Sequence, residues 1–132
     1  MSIFSSYLYI TVSDFKRSAE WYNQHFGFRV VKEDALFLEL RSEFGVRVML
    51  IMNEPSINSH MNYSTGTQAA YGFVVHNIHE IYQKLISLGI EVTSMKDYEG
   101  TSFKFYDPDR NIIELWGDYP EAGWTTFEQI DD

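Results

Sequence analysis

The stretch FKFYDPDRNIIELW, residues 103–116, sets two extended, aromatic-rich runs on either side of DPDRN, residues 107–111. The proline of the central segment presets φ for a turn. The side chains of Asp107, Asp109 and Asn111 are of the kind that closes a turn through local hydrogen bonds. The stretch therefore predicts a β-hairpin.

The strand after this turn carries a carboxylate in an unusual position. Because side chains alternate between the two faces of a strand, Ile113 and Leu115 lie on one face and Ile112, Glu114 and Trp116 on the other. Glu114 thus lies between a large aliphatic and a large aromatic side chain. It is either a solvated surface residue or part of a site.

Upstream of the hairpin, the first part of the chain has a clear order of elements. Residues 7–12 alternate between aliphatic and hydroxyl-bearing side chains, which predicts a strand. Asp14 predicts the N-cap of a helix whose apolar residues follow the 3.6-residue period, and Gly27 predicts its end. Three extended runs follow, at residues 28–32, 36–40 and 46–52.

The same order begins again after a polar, turn-rich segment. Asn77 and Glu80 have the spacing of a capping box, which predicts the start of a second helix, and Gly89 predicts its end. The strands of this second pattern are predicted at residues 71–75, 90–92, 103–106 and 112–116. The chain is therefore a tandem repeat of β-α-β-β-β.

The repeat divides the chain into four parts. They are a first module at 1–52, a loop or flap at 53–68, a second module at 69–117 and an acidic tail at 118–132. Modules this short cannot each close a core, so two of them are expected to pair, within one chain or between two. Trp124 and Phe127 in the tail either dock on a partner chain or stay loose.

Composition limits the classes of function. The chain has 132 residues and a net charge of −9, which argues against a nucleic-acid partner, because binding to a phosphate backbone depends on a basic face. No apolar run approaches the roughly 20 residues of a membrane span. The absence of cysteine and of a recognisable secretory signal favours the cytoplasm. A cationic small molecule would be attracted at long range.

Three motifs together resemble one superfamily. VSDFKRSAEWYNQHFGF at 12–28, LGIEV at 88–92 and the closing stretch at 103–116 are similar to the vicinal oxygen chelate superfamily. Its members include glyoxalase I, extradiol dioxygenases, fosfomycin-resistance enzymes and bleomycin-resistance-type binding proteins. The usual DPDGN of that superfamily is DPDRN here. The resemblance implies an α+β fold whose two modules form a cupped mixed sheet with the helices outside, often as a homodimer.

The resemblance also implies where a metal would be held. The corresponding positions are Tyr7, Met49, Ala70 and Glu114, of which only Glu114 is a usual ligand. A divalent catalytic site needs about three suitable protein ligands. We therefore expect neither a metal nor another cofactor, and a character closest to the bleomycin-resistance-type members.

The faces turned into the implied cup supply the candidate ligand-binding residues, which are Tyr7, Tyr9, Arg47, Met49, Ile112, Glu114 and Trp116. Such a set suits an aromatic or cationic small molecule that is sequestered without a metal. Alternatively, Arg47 and Glu114 form a structural ion pair. Another reading is a glyoxalase-type lyase or isomerase, or a dioxygenase, with Glu114 as metal ligand or general base. A structural or regulatory dimer with a filled cup is the third.

Overall fold

The structure, a computed structural model, describes residues 2–54, 57–97 and 99–118. These residues form two compact units. The first holds the described residues up to Ser59 together with Pro108–Asn111. The second holds the described residues of His60–Asp107 and those from Ile112 onward. Trp124 and Phe127, for which docking on a partner was considered, lie outside the described residues.

The first unit is a four-stranded mixed sheet with one helix. Its elements are β1 (Leu8–Val12), α1 (Phe15–Phe26), β2 (Arg29–Glu33), β3 (Phe37–Arg41) and β4 (Arg47–Met52). The strand order is β1-β4-β3-β2, with β1 parallel to β4 and the other pairs antiparallel. As predicted, the Asp14 side chain caps α1 by accepting from the Arg17 amide, and left-handed Gly27 ends the helix.

The second unit repeats this arrangement. Its elements are β5 (His60–Tyr63), β6 (Gly66–Ala69), β7 (Gly72–Val74), α2 (Ile78–Ser87), β8 (Lys96–Asp97), β9 (Thr101–Tyr106) and β10 (Ile112–Gly117). The main sheet has the order β7-β10-β9-β8, and β7 is parallel to β10. Each unit thus places the last strand of its β-α-β-β-β pattern next to the first. The predicted α+β fold class is confirmed.

The predicted loop or flap contains a hairpin that the sequence did not reveal. Within 53–68, strand β5 turns back at Ser64 and Thr65 into β6, which runs one residue further, to Ala69. Most side chains of both strands are exposed. A strand that buries neither face needs no alternation of apolar and polar residues, so the hydrophobic pattern carries no sign of it.

Two local predictions in the second unit are wrong. The expected strand at 90–92 is reduced to a single bridge between Val92 and Phe105, and Lys96–Asp97 supplies the edge strand instead. The side chain of Asn77 makes no capping hydrogen bond at the start of α2, so the expected capping box does not form.

The buried faces of the two sheets follow the alternation of the sequence. In the first unit Ile10, Val12, Val48 and Leu50 are fully buried, as is Tyr22 of α1, a helix that contacts β2 and β4. In the second unit the fully buried strand residues are Phe105, Ile113 and Leu115, and Phe103 is almost fully buried. Leu85 of α2, a helix that contacts β9 and β10, is also buried. Each such side chain contributes roughly 1.5–3 kcal/mol by leaving water.

The turn at Pro108–Asn111 is fastened to the first unit by its polar side chains. Asp109 accepts hydrogen bonds from the amide and hydroxyl of Ser13 and forms an ion pair with Arg17, at the start of α1. A carboxylate there is favoured by the helix dipole. Fully buried Asn111 donates to the Thr11 carbonyl and accepts from the Ser59 amide. These partners are distant in sequence.

Candidate functional site

The seven sequence-predicted site residues divide between the two units. Those of the first unit are Tyr7, Tyr9, Arg47 and Met49, and those of the second are Ile112, Glu114 and Trp116. Within each unit they alternate with fully buried strand residues such as Leu50 and Leu115 and so lie on the opposite face of the sheet, on which Ile112 is also buried. This face is called the open face of the sheet below.

The first open face carries an aromatic pair beside Arg47. The Tyr7 and Tyr9 rings meet edge to face with centroids 5.2 Å apart, and each residue is about half exposed. A hydrogen bond with the Tyr7 side chain raises the pKa of Tyr9 above its ordinary value, with smaller contributions from the Tyr7 charge and burial. Met49 is the register partner of Tyr9 on β4.

The same face contains a buried carboxylate that sequence reasoning missed. Glu39 on β3 lies opposite Met49, and its side chain is only 8% exposed. Its Oε2 accepts from an Arg41 Nη at 2.8 Å and from Arg47 Nε at 3.1 Å. The hydrogen bonds from Arg41 and then Arg47 hold the pKa of Glu39 below its ordinary value.

Arg47 and Glu114 each have a partner within their own unit. Arg47 has its ion pair with Glu39 in its own unit. Glu114 accepts a 2.6 Å hydrogen bond from Trp116 Nε1 in the second unit. The structure therefore gives each of the two charges a local partner.

The second open face contains a pocket at Glu114. Its volume is about 350 Å³, near the lower end of the range for sites that hold small organic molecules. All but one of its lining residues are polar or charged; they are Gln68, Thr93, Ser94, Lys96, Ser102, Phe103, Lys104 and Glu114. Among the three second-unit residues predicted from sequence, the pocket lining includes Glu114.

The other two predicted residues have different surroundings. Trp116 is half-buried and orients Glu114 through its indole N–H. Ile112 is only 4% exposed, and its amide donates to His60 Nδ1 at 3.4 Å. Ile112 is thus packed into the second unit, while Trp116 holds the carboxylate in place.

Opposite charges face each other across the pocket. Lys104 on β9 is the register partner of Glu114 on β10, so both side chains lie on the same face. Lys104 Nζ donates to Gln68 Oε1 on β6 at 2.7 Å. In the described part of the chain no ion pair joins Lys104 to Glu114.

Sequence patterns held little information on these partners. Gln68 belongs to the β5–β6 hairpin, whose sequence shows no alternation of apolar and polar residues. Lys104 lies on β9, and the sequence of that strand alone does not show which of its faces is buried. Only the register between β9 and β10 brings Lys104 opposite Glu114.

The backbone beside Glu114 is closely packed. Gly72 on β7 pairs with Glu114, and a Cβ added to Gly72 would collide with the Glu114 carbonyl oxygen. Only a glycine permits this approach without displacement of one strand. Gly72 therefore fixes the position from which the Glu114 side chain projects.

The donor set around Glu114 does not fit the divalent metal that the resemblance implies for this position. Among the described residues, no three His, Cys, Asp or Glu side chains are grouped so as to hold an ion. The groups around Glu114 are an indole N–H, an ammonium, an amide and hydroxyls, and a nearby ammonium opposes a cation. The described residues around Glu114 therefore do not supply the ligands of a divalent metal.

The sequence matches a family of known proteins. The model of the Glyoxalase/Bleomycin resistance protein/Dioxygenase superfamily matches residues 5–115. No individual curated protein matches the sequence significantly. The resemblance seen in the sequence motifs is thus confirmed at the level of the superfamily.

Similar solved structures share the fold at low sequence identity. The genomically encoded fosfomycin resistance protein FosX from Listeria monocytogenes is 17% identical with a TM-score of 0.72, over 92% of this chain and 98% of that one. TnmS3, an antibiotic binding protein from Streptomyces sp. CB03234, is 19% identical with a TM-score of 0.68, over 89% and 98%. The oxidase ChaP-H2 is 15% identical with a TM-score of 0.70, over 93% and 99%.

Proposed function

Because the chain belongs to the Glyoxalase/Bleomycin resistance protein/Dioxygenase superfamily, we propose that it is a small-molecule binding protein that sequesters its ligand in the Glu114 pocket without a metal. Two relatives of the same fold are described as a fosfomycin resistance protein and an antibiotic binding protein, which supports an antibiotic or a similar compound as the ligand. The proposal depends on the charges that line the pocket.

One observation carries the proposal. Glu114 and Lys104 face each other in register, yet each is bonded elsewhere, to Trp116 and Gln68. Opposite charges at facing positions of antiparallel strands ordinarily attract each other and stabilise the sheet by roughly 0.2–1 kcal/mol. Here Glu114 and Lys104 are each held in a fixed orientation by another side chain. The hydrogen-bonding positions that remain on the carboxylate and the ammonium are available to a group on the ligand.

The charges define the chemistry of the ligand. Glu114 accepts from a ligand ammonium or amide, as expected for a cationic compound. Lys104 and Lys96 add two positive charges to the lining, which favours a carboxylate or another anionic group on the same molecule. We therefore propose an amphoteric ligand with an aromatic part, a more specific form of the aromatic or cationic ligand expected from the sequence.

A set of three related compounds tests this proposal. Phenylalanine carries both charges, phenethylamine lacks the carboxylate and 3-phenylpropionate lacks the ammonium. Titration of the full chain, followed by amide chemical shifts, should give the highest affinity for phenylalanine. Because a hydrogen bond to a charged group contributes about 1.5–3 kcal/mol, each truncated compound should bind about tenfold more weakly or worse.

Matched variants assign the two contacts. Glu114→Gln should remove the advantage of phenylalanine over 3-phenylpropionate, and Lys104→Met should remove its advantage over phenethylamine. Lys84→Gln, an exposed change on α2, is the control and should bind all three compounds as the unaltered chain does. Equal affinity for the three compounds, or no binding, would refute the amphoteric site.

Assembly and location are parts of the same proposal. We propose a homodimer, as the resemblance implies, and light scattering of the purified chain measures this directly. We also propose a cytoplasmic location, which the cysteine-free composition supports. No helix in the described ranges is long and apolar enough to span a membrane.

A further inference from the structure

Positive charge is concentrated on the open face of the first unit. The whole chain has a net charge of −9 and only 10 lysines and arginines. Arg29 lies opposite Arg41, and Arg41 lies opposite Arg47, so three guanidinium side chains form a row across β2, β3 and β4. Lys32, opposite Glu39, lies on the same face.

The carboxylate on this face cannot neutralise the whole row. Glu39 binds Arg41 and Arg47 through the same oxygen, Oε2. Lys32 Nζ lies 5.6 Å from the centre of the Phe37 ring, a cation–π contact that leaves its charge uncompensated. Among the paired strand residues of this face, four cations thus accompany one carboxylate.

The two guanidinium groups nearest Glu39 keep unused donors. An arginine has five N–H donors in a rigid fork. Arg47 donates to Glu39 through Nε and Arg41 through one Nη, and in the described part of the chain neither has another partner. Arg47 is 29% and Arg41 46% exposed, so both remain accessible from solvent.

Glu39 also prepares these donors for an anion. Because the buried Glu39 carboxylate already holds Arg41 and Arg47, these side chains have less conformational freedom to lose when an anion binds. Planar guanidinium groups match oxyanions through paired hydrogen bonds. Adjacent strands are separated by about 4.8 Å, which places the two forks close enough for one tetrahedral group.

We propose that Arg41 and Arg47 bind the phosphate-type oxyanion of a small molecule on the open face of the first unit. A doubly charged tetrahedral group provides the compensation that Glu39 alone does not give to the row. Tyr7 and Tyr9 adjoin the site, since Tyr7 and Arg47 each precede by one residue the paired Leu8 and Val48. Their half-exposed rings suit an aromatic substituent on the anion.

The site is tested with inorganic phosphate and phenyl phosphate. Both are titrated into the full chain at low ionic strength and constant pH, and amide shifts are followed on β3 and β4. Phosphate should bind saturably with shifts at Arg41 and Arg47, and phenyl phosphate should bind more tightly if the tyrosine rings contribute. Equal affinities for phosphate and phenyl phosphate would mean that only the oxyanion is bound, which still supports binding by Arg41 and Arg47.

Variants distinguish binding by Arg41 and Arg47 from a general attraction of anions to positive charge. Arg41→Gln and Arg47→Gln should each weaken phosphate binding about tenfold. Lys16→Gln removes the same charge from an exposed position on α1 of the same unit, and it should change the affinity less than about twofold. If Arg47→Gln does not fold, Arg47→Lys keeps the charge but not the fork and should still bind more weakly.

Two results would overturn the proposal. One is a set of phosphate-induced shifts confined to residues around Glu114. The other is an equal loss of affinity in Lys16→Gln and Arg47→Gln, which would show attraction without a defined site. Because these titrations use no amphoteric compound, failure here leaves the proposed function of the Glu114 pocket unaffected.

Discussion

Substitution of Glu39 by glutamine removes the negative charge at the centre of the arginine row while keeping the shape of the side chain. Two hydrogen bonds, of 2.8 and 3.1 Å, lose their charged acceptor. A bond to a charged group contributes about 1.5–3 kcal/mol, and the exposure of both arginines favours the lower end. Since the glutamine amide oxygen can still accept both bonds as a neutral acceptor, which contributes only about 0.5–1.5 kcal/mol per bond, we expect a loss of about 2 kcal/mol in total.

This loss has a defined thermal signature. For 132 residues, about 2 kcal/mol lowers the midpoint of thermal unfolding by about 7 °C. Glu43→Gln is the control, because exposed Glu43 lies at the turn between β3 and β4 without an ion pair in the described structure. It should shift the midpoint by less than about 2 °C.

The effect of Glu39→Gln should also depend on pH. Arg41 and Arg47 hold the pKa of Glu39 below its ordinary value of 4.5. A lowered folded-state pKa contributes stability that is complete above the unfolded value and is lost as the pH falls through the folded value. The difference between the two proteins should therefore be constant from pH 7 to about 5 and shrink below 4.5. A difference independent of pH across this range would refute the charge-based reasoning.

Three further predictions concern the rest of the chain. Asn111→Ala leaves the Thr11 carbonyl and the Ser59 amide without their buried partner and should lower the free energy of unfolding by about 3 kcal/mol, measured by urea denaturation. Gly72→Ala should cost about 1–3 kcal/mol by displacing β7 or β10, and it should weaken phenylalanine binding at Glu114. Chelator treatment followed by Mn²⁺ or Zn²⁺ should shift the melting midpoint by less than about 1 °C; a saturable stabilisation at one equivalent would contradict the assigned donor set.

The fold could be predicted from the sequence wherever one face of a helix or strand is buried. Leu50 and Leu115 lie in strands whose alternation marks the buried face, and Gly27 marks the end of a helix that could not continue past a left-handed residue. The hairpin at 60–69 was missed for the opposite reason. Its strands are exposed on both sides, so no burial constrains which residues alternate there.

The candidate site was accessible only in part, because pairing between strands determines its partners. Glu114 was identified from its position between two large apolar residues, a local feature of one strand. Glu39 has Phe37 and Arg41 as its neighbours on the same face of β3, and its function depends on Arg41 two residues later and Arg47 eight residues later. These two arginines lie side by side only because β3 and β4 pair in one register, and a shift of that register by one residue would place Arg47 on the buried face. The sequence thus specifies which charges exist, whereas strand register decides which of them act together.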